Sequence, residues 1–234
     1  MAYSKYYTDG GYDGRGYRYS GAATLNWQNA PDGVNGPKGD PILLAEVKDH
    51  LRLSHEDEDA YIGSLIAVAV QKIEQHFGLA LMERHVDITI NGTLRDHIFR
   101  LPVRPVSEVI SVTSIDGDGA EVPGETLGET IIPASAYSLQ PGLGARLIFK
   151  NSNLTYGVGH GFIPVPRQQS LRIRARAGFG LSHNLVPADI RHALLILTAY
   201  FYNYRGDDSD NPLADAMAKS GAMALMAPYR DYRL

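Results

Sequence analysis

The chain predicts an α+β protein in which a core of three to four helices carries an inserted antiparallel β-sandwich or small barrel. Apolar residues recur at helical spacing from Pro41 to Leu81, the pattern turns to alternation from His85, and helical spacing returns after Pro187. The sheet is therefore an insertion between the second and third helices. This divides the chain into a flexible Gly- and Tyr-rich arm (1–40), a helical core (41–82 and 186–227), an inserted β domain (83–178) and a C-terminal tail (228–234).

In the first helix Leu44, Val47 and Leu51 share a face, and in the second Ile62, Leu65, Ile66, Ala69, Ile73 and Phe77 form one stripe. Between them Ser54 is placed to cap the second helix, and Glu56, Asp57, Glu58 and Asp59 bring negative charge to the positive end of its dipole. Gly78 is placed to end it in a left-handed cap. Val86, Ile88 and Ile90 then alternate with His85, Asp87 and Thr89, a half-buried strand with a turn expected at Asn91-Gly92. Further strands are expected at 97–101, 109–115, around Ile131 and Ile132, and at 137–139, 146–149 and 171–177. Asp116-Gly117-Asp118-Gly119 and Pro141-Gly142 mark turns, and 156–166 reads as an exposed loop. After Pro187, expected in a first helical turn, Ile190, Ala193, Leu194, Leu197, Phe201 and Tyr204 make the third stripe. Residues 206–212 break the chain, and 213–227 read as partly helical, weakened at Gly221 and ended by Pro228.

At 234 residues the chain can bury a substantial core, and 44% hydrophobic with 21% charged residues is an ordinary globular composition. With no cysteine there are no disulfides, thiolate nucleophiles or cysteine-held metals. No run is apolar enough to cross a bilayer and the start has no signal-peptide core, so a soluble protein without a membrane partner is expected. A net charge of -4 argues against tight binding to nucleic acid. It suits a channel wall along which a polyanion slides without adhering. The arm has scarcely any aliphatic residue before Leu25 and cannot offset its own ordering entropy, but its tyrosines offer contact area to a neighbouring subunit.

The motifs that could carry chemistry are weak. His55 and Asp59 have helical ligand spacing, yet acids at a helix start are common for capping alone. Asp116 and Asp118 resemble the start of a calcium loop without its later ligands. Gly157, Gly159 and Gly161 lack the strand and helix of a dinucleotide fingerprint. Neither a nucleophile elbow nor a zincin helix is present; carboxylate pairs distant in the chain stay open on sequence alone, and the expectation is no catalytic residue, metal or cofactor. Arg172, Arg174 and Arg176 alternate along one strand and should line one face. That row is either a solvated outer face, a partner for acids of a neighbouring subunit, or a DNA contact.

The stretches HEDEDAYI (55–62) and IEQHFGLAL (73–81), followed by RARAGFG (174–180), VPADIRHALLILTAYFYNYR (186–205) and ALMAPYR (224–230), resemble the head-to-tail connector, or adaptor, proteins of tailed phages and gene transfer agents. The resemblance spans 41–230 in the family's order. It implies a structural virion protein, not an enzyme, assembled in the host cytoplasm as a ring of about twelve subunits. The ring would lie under the portal protein, join head to tail, meet a downstream tail or stopper protein, and continue the DNA channel. It also implies a portal-docking tail, here Pro228, Tyr229, Arg230, Tyr232, Arg233 and Leu234. Glu56, Asp57, Asp59 and the arginine row are the candidate subunit contacts. The other readings are a ligand-binding β-sandwich with helical decoration and a small hydrolase.

Overall fold

The computed structural model describes residues 3–6, 19–29, 39–94, 98–116, 129–150, 169–204 and 216–230. The chain forms two units, one of Pro37–Glu83 with Phe179–Asp231 and the other of Met1–Gly36, Arg84–Gly178 and Tyr232–Leu234.

The first unit is helical: α1 Leu44–Leu51, α2 Asp59–Phe77, α3 Ala188–Asn203, α4 Ala216–Lys219 and α5 Ala222–Leu225. The stripes read from spacing meet in one cluster, with Val47 from α1, Ile62, Ile66, Ala69, Ile73 and Phe77 from α2, and Ile190, Ala193, Leu194, Leu197 and Phe201 from α3. Ala216, Met217, Ala222 and Met226 close it. Ile62, Ile73 and Ile190 are almost wholly removed from water, each contributing about 1.5–3 kcal/mol of transfer free energy. Gly78 ends α2 with φ 63°, the left-handed cap its position predicts.

Four local expectations fail here. Ser54 does not cap α2, which begins at Asp59 with Glu58 in the cap position and no side-chain cap bond; the Asp59 N–H instead donates to the Glu56 carbonyl at 3.1 Å. Pro187 stands just before α3, one step outside the first turn. Tyr204 is exposed, because α3 ends at Asn203 and the Tyr204 ring stacks on Tyr200 with centroids 4.7 Å apart. Pro228 lies inside a 3-10 turn, Ala227–Tyr229, which extends the chain beyond α5. Gly221 does interrupt the last helical segment, with φ 84° between α4 and α5.

The second unit holds β1 Tyr3–Tyr6, β2 Tyr19–Asn29, β3 Arg84–Leu94, β4 Ile98–Arg100, β5 Val106–Asp116, β6 Glu129–Ile132, β7 Tyr137–Gln140, β8 Arg146–Phe149 and β9 Gln169–Ala177. Six of them form one sheet in the order β1-β2-β3-β9-β5-β6, and β4-β8-β7 form another. Every pairing is antiparallel. Both sheets are open, so the small-barrel form of the expectation does not apply. One face of the larger sheet buries Val86, Ile88 and Ile90 of β3, Leu171, Ile173 and Ala175 of β9, and Val112 and Ile132 of β5 and β6. The smaller sheet buries Phe99, Leu147, Phe149 and Tyr137.

The turn expected at Asn91-Gly92 is absent. β3 runs on to Leu94, with Thr93 opposite Ser20 and Leu94 opposite Tyr19; the ladder to β2 outweighs a local turn preference. Two stretches of the 1–40 segment thus have a place in the sheet, β2 on β3 and β1 on β2. Residues 117–119 of the second turn and the 156–166 loop lie outside the described residues.

Candidate functional site

The arginine row lies on β9, between β3 and β5, on the sheet face opposite Ile173 and Ala175. Strand alternation delivers three guanidiniums to that face, and each finds an acid on another strand of its own sheet. Arg174 grips Asp87 of β3 in a fork, Nε donating to Oδ1 at 2.8 Å and Nη2 to Oδ2 at 2.9 Å. The Arg172 Nη1 donates to Glu129 Oε1 of β6 at 3.1 Å, and the Arg176 Nη1 lies 3.4 Å from Glu108 Oε2 of β5. The pairs differ in burial: the Asp87 side chain is 6% exposed, whereas Glu129 and Glu108 are 52% and 54% exposed. The first is therefore a desolvated, bidentate pair that fixes strand register, and the other two are screened surface pairs. Spacing found the arginines but could not find their partners, since Arg174 and Asp87 are 87 residues apart in the chain.

Of the acids at the start of α2, Glu56 and Asp57 are exposed. Asp59 is occupied within its own unit, its Oδ1 2.7 Å from Lys48 Nζ of α1. Glu58 accepts a hydrogen bond from the Tyr202 hydroxyl of α3. These contacts tie α1 and α3 to the start of α2. Glu46, which no motif singled out, accepts from the Leu43 N–H at 2.9 Å and from Arg191 Nη2 at 2.6 Å. Its pKa is lowered, first by the Leu43 N–H and then by the Arg191 charge and hydrogen bond, against an opposing effect of burial. Among the described residues no group of three or more His, Cys, Asp or Glu side chains is arranged to hold a metal ion.

The C-terminal segment divides at Tyr229. Its hydroxyl donates to Asp189 Oδ1 at 2.9 Å, and its ring meets Phe179 edge to face with centroids 6.3 Å apart. Burial, followed by the Asp189 hydrogen bond and charge, pushes the phenol up to about 12. Pro228 and Arg230 on either side are exposed. Tyr232, Arg233 and Leu234 lie outside the described residues.

Residues 41–112, covering the α1–α2 pair and the strands as far as β5, match the family described as phage gp6-like head-tail connector protein. Solved structures resemble the chain over nearly its whole length. A chain in "Neck of empty GTA particle computed with C6 symmetry" is 26% identical with a TM-score of 0.64, over 90% of this chain and 96% of that one. A chain in "Virion of native gene transfer agent (GTA) particle" is 26% identical with a TM-score of 0.64, over 89% and 96%. A third, in "Neck of native GTA particle computed with C12 symmetry", is 25% identical with a TM-score of 0.61, over 90% and 96%. No curated protein sequence matches the chain significantly. The connector match lies on α1, α2 and the strands from β3 into β5, the neck likeness extends through the sheet and α3, and together they support a head-tail connector structural role for a chain that resembles this family.

Proposed function

We propose that copies of this chain close into a ring of twelve at the neck of a virion-type particle, beneath the portal protein. There the ring joins the head to the next tail component and continues the DNA channel. The observation that carries this reading is the likeness over 90% of the chain to a subunit of a particle neck with C12 symmetry. A cyclic ring uses a heterologous contact repeated until it closes, so each copy needs two different complementary surfaces. Exposed apolar residues such as Leu181 and Leu185 in the helical unit and Ile131 in the β unit are suited to such contacts. A net charge of -4 suits a lumen that lets DNA pass without holding it. The work is assembly, with no catalytic step, cofactor or metal.

Within this reading the domain roles are a 1–40 arm, a helical core, an inserted β domain and a docking tail. Portal docking falls to Pro228, Arg230, Tyr232, Arg233 and Leu234, with Tyr229 fixing the point where the tail leaves the helical unit. Glu56 and Asp57 are the acids best exposed for subunit contact. Asp59 and the arginine row take part through the pairs they already make. Mixing the purified chain with portal rings and imaging by negative stain tests the proposal: a twelvefold ring added to one end of the portal is expected. Compact monomers that leave the portal bare at all concentrations would overturn it.

A further inference from the structure

The six-stranded sheet has two outer edges, β1 and β6, and among the described residues no strand hydrogen-bonds to the outer side of either. Exposed edges of this kind are templates for pairing with another chain. On β6, Ile131 is 73% exposed, more than any other large apolar side chain among the described residues.

The register across the sheet relates the two edges closely. Ser4 is opposite Asn26, Asn26 opposite Thr89, Thr89 opposite Arg172, Arg172 opposite Thr113, and Thr113 opposite Ile131. Ser4 and Ile131 are thus the two ends of one straight row. Lys5 and Thr130 end the next row, which runs through Leu25, Ile90, Leu171 and Ser114. Tyr3 and Ile132 end another, and Tyr6 and Glu129 the fourth. The edge strands therefore occupy the same rows of the sheet, with no net stagger between them.

Two consequences follow for a ring. Every strand is antiparallel to its neighbour in a sheet of six, so β1 and β6 run in opposite senses. A small rotation about a ring axis, which keeps strand sense and sheet face, then brings β6 of one copy beside β1 of the next as an antiparallel pair. Because the rows are level, the junction adds no rise per copy, which is the condition for closing a ring instead of winding a filament.

We propose that neighbouring copies join edge to edge, β6 of one pairing antiparallel with β1 of the partner subunit. Ile131 lies opposite Ser4 of the partner subunit and Thr130 opposite Lys5 of the partner subunit. The junction is a backbone ladder of the kind used in β-strand addition, and it covers Ile131. This rests on the ring reading above and names the contact that closes the ring.

The absence of native cysteine makes the test clean. Three full-length double variants are prepared: S4C/I131C, K5C/T130C and the face-crossed S4C/T130C. Each is checked for folding by circular dichroism, assembled with portal, imaged, oxidised and run on a non-reducing gel. Residues directly opposite in an antiparallel pair have Cα atoms about 4.5–5.5 Å apart, within disulfide range. Within one chain the two positions are separated by the whole width of the sheet, so any bond joins copies. At least one matched pair should give a ladder of covalent multimers rising to the full ring, with the face-crossed pair at least tenfold lower. Rings visible by microscopy with no ladder from either matched pair would overturn the edge junction and leave the ring reading standing. A face-crossed ladder as strong as the matched ones would also overturn it. The absence of both rings and ladders would remove the two proposals together.

Discussion

The Tyr229 hydroxyl donates to Asp189 Oδ1 at 2.9 Å, joining the last described turn of the chain to the first turn of α3. The same Oδ1 accepts the Ile190 N–H, also at 2.9 Å. One carboxylate thus serves both the start of a core helix and the root of the tail. A docking residue would leave its side chain available to a partner; Tyr229 has committed its ring to Phe179 and its hydroxyl to Asp189. Tyr229→Phe should therefore lower stability by about 1 kcal/mol, the scale of a half-buried hydrogen bond to a charged acceptor. Removing residues 227–234 should cost more, because the ring contact goes too. Urea melts of the two variants beside the native chain check this; an unaltered midpoint for the deletion would show that the anchor contributes nothing.

Alkaline titration gives a second test of the same contact. Burial and the Asp189 carboxylate raise the Tyr229 phenol from 10.0 to about 12. A group raised on folding contributes stability that is fully present below its unfolded pKa and lost as pH climbs through the folded one. Stability should thus fall between about pH 10 and pH 12. The Tyr229→Phe variant should show a shallower decline over that window. Parallel slopes for the two proteins would assign the alkaline loss to other groups.

The three arginines of β9 should differ sharply although they are one residue type on one face. Arg174→Ala leaves the Asp87 carboxylate, 6% exposed, without its fork; stranding a buried charge costs about 3 kcal/mol or more. Arg172→Ala and Arg176→Ala break pairs with half-exposed acids and should each cost less than about 1 kcal/mol. A charge reversal at Arg174 would for the same reason report on folding first, and Arg172 is the better site for probing assembly. Thermal or urea melts decide; equal losses at all three positions would refute the burial argument.

The helical core was legible because its signal is local: a stripe such as Ile62, Ile66, Ala69, Ile73 repeats every three or four residues and needs no knowledge of the rest of the chain. Strand positions were legible through alternation at Val86, Ile88 and Ile90 for the same reason. Register was not, since nothing near Arg174 points to an acid in β3. Asn91-Gly92 has the chemistry of a hairpin turn, and only the presence of β2 alongside keeps β3 extended through it. The strands at 3–6 and 19–29 escaped notice because backbone pairing to an existing edge leaves little mark on composition. Tyr204 fits the helical stripe, but helix termination at Asn203 releases its ring from the core side.

Glu46 offers an acid-side test in the helical unit. The Leu43 N–H is the largest influence holding its carboxyl below 4.5, ahead of Arg191, and burial acts in the other direction. A group lowered on folding contributes stability above its unfolded pKa and loses it as pH falls through the folded value. The native chain should therefore lose this contribution below about pH 4.5. Glu46→Gln removes the charge and that pH dependence while keeping an oxygen able to accept from Leu43. Glu46→Ala removes both partners and exposes the α1 start to the loss of its first-turn acceptor. At neutral pH the Gln variant should cost about 0.5–1 kcal/mol, as for a part-exposed ion pair, and the Ala variant roughly 1 kcal/mol more, the worth of the lost backbone acceptor. If the two variants melt alike, the bond to Leu43 has no energetic role and the Arg191 pair alone accounts for the contribution of Glu46.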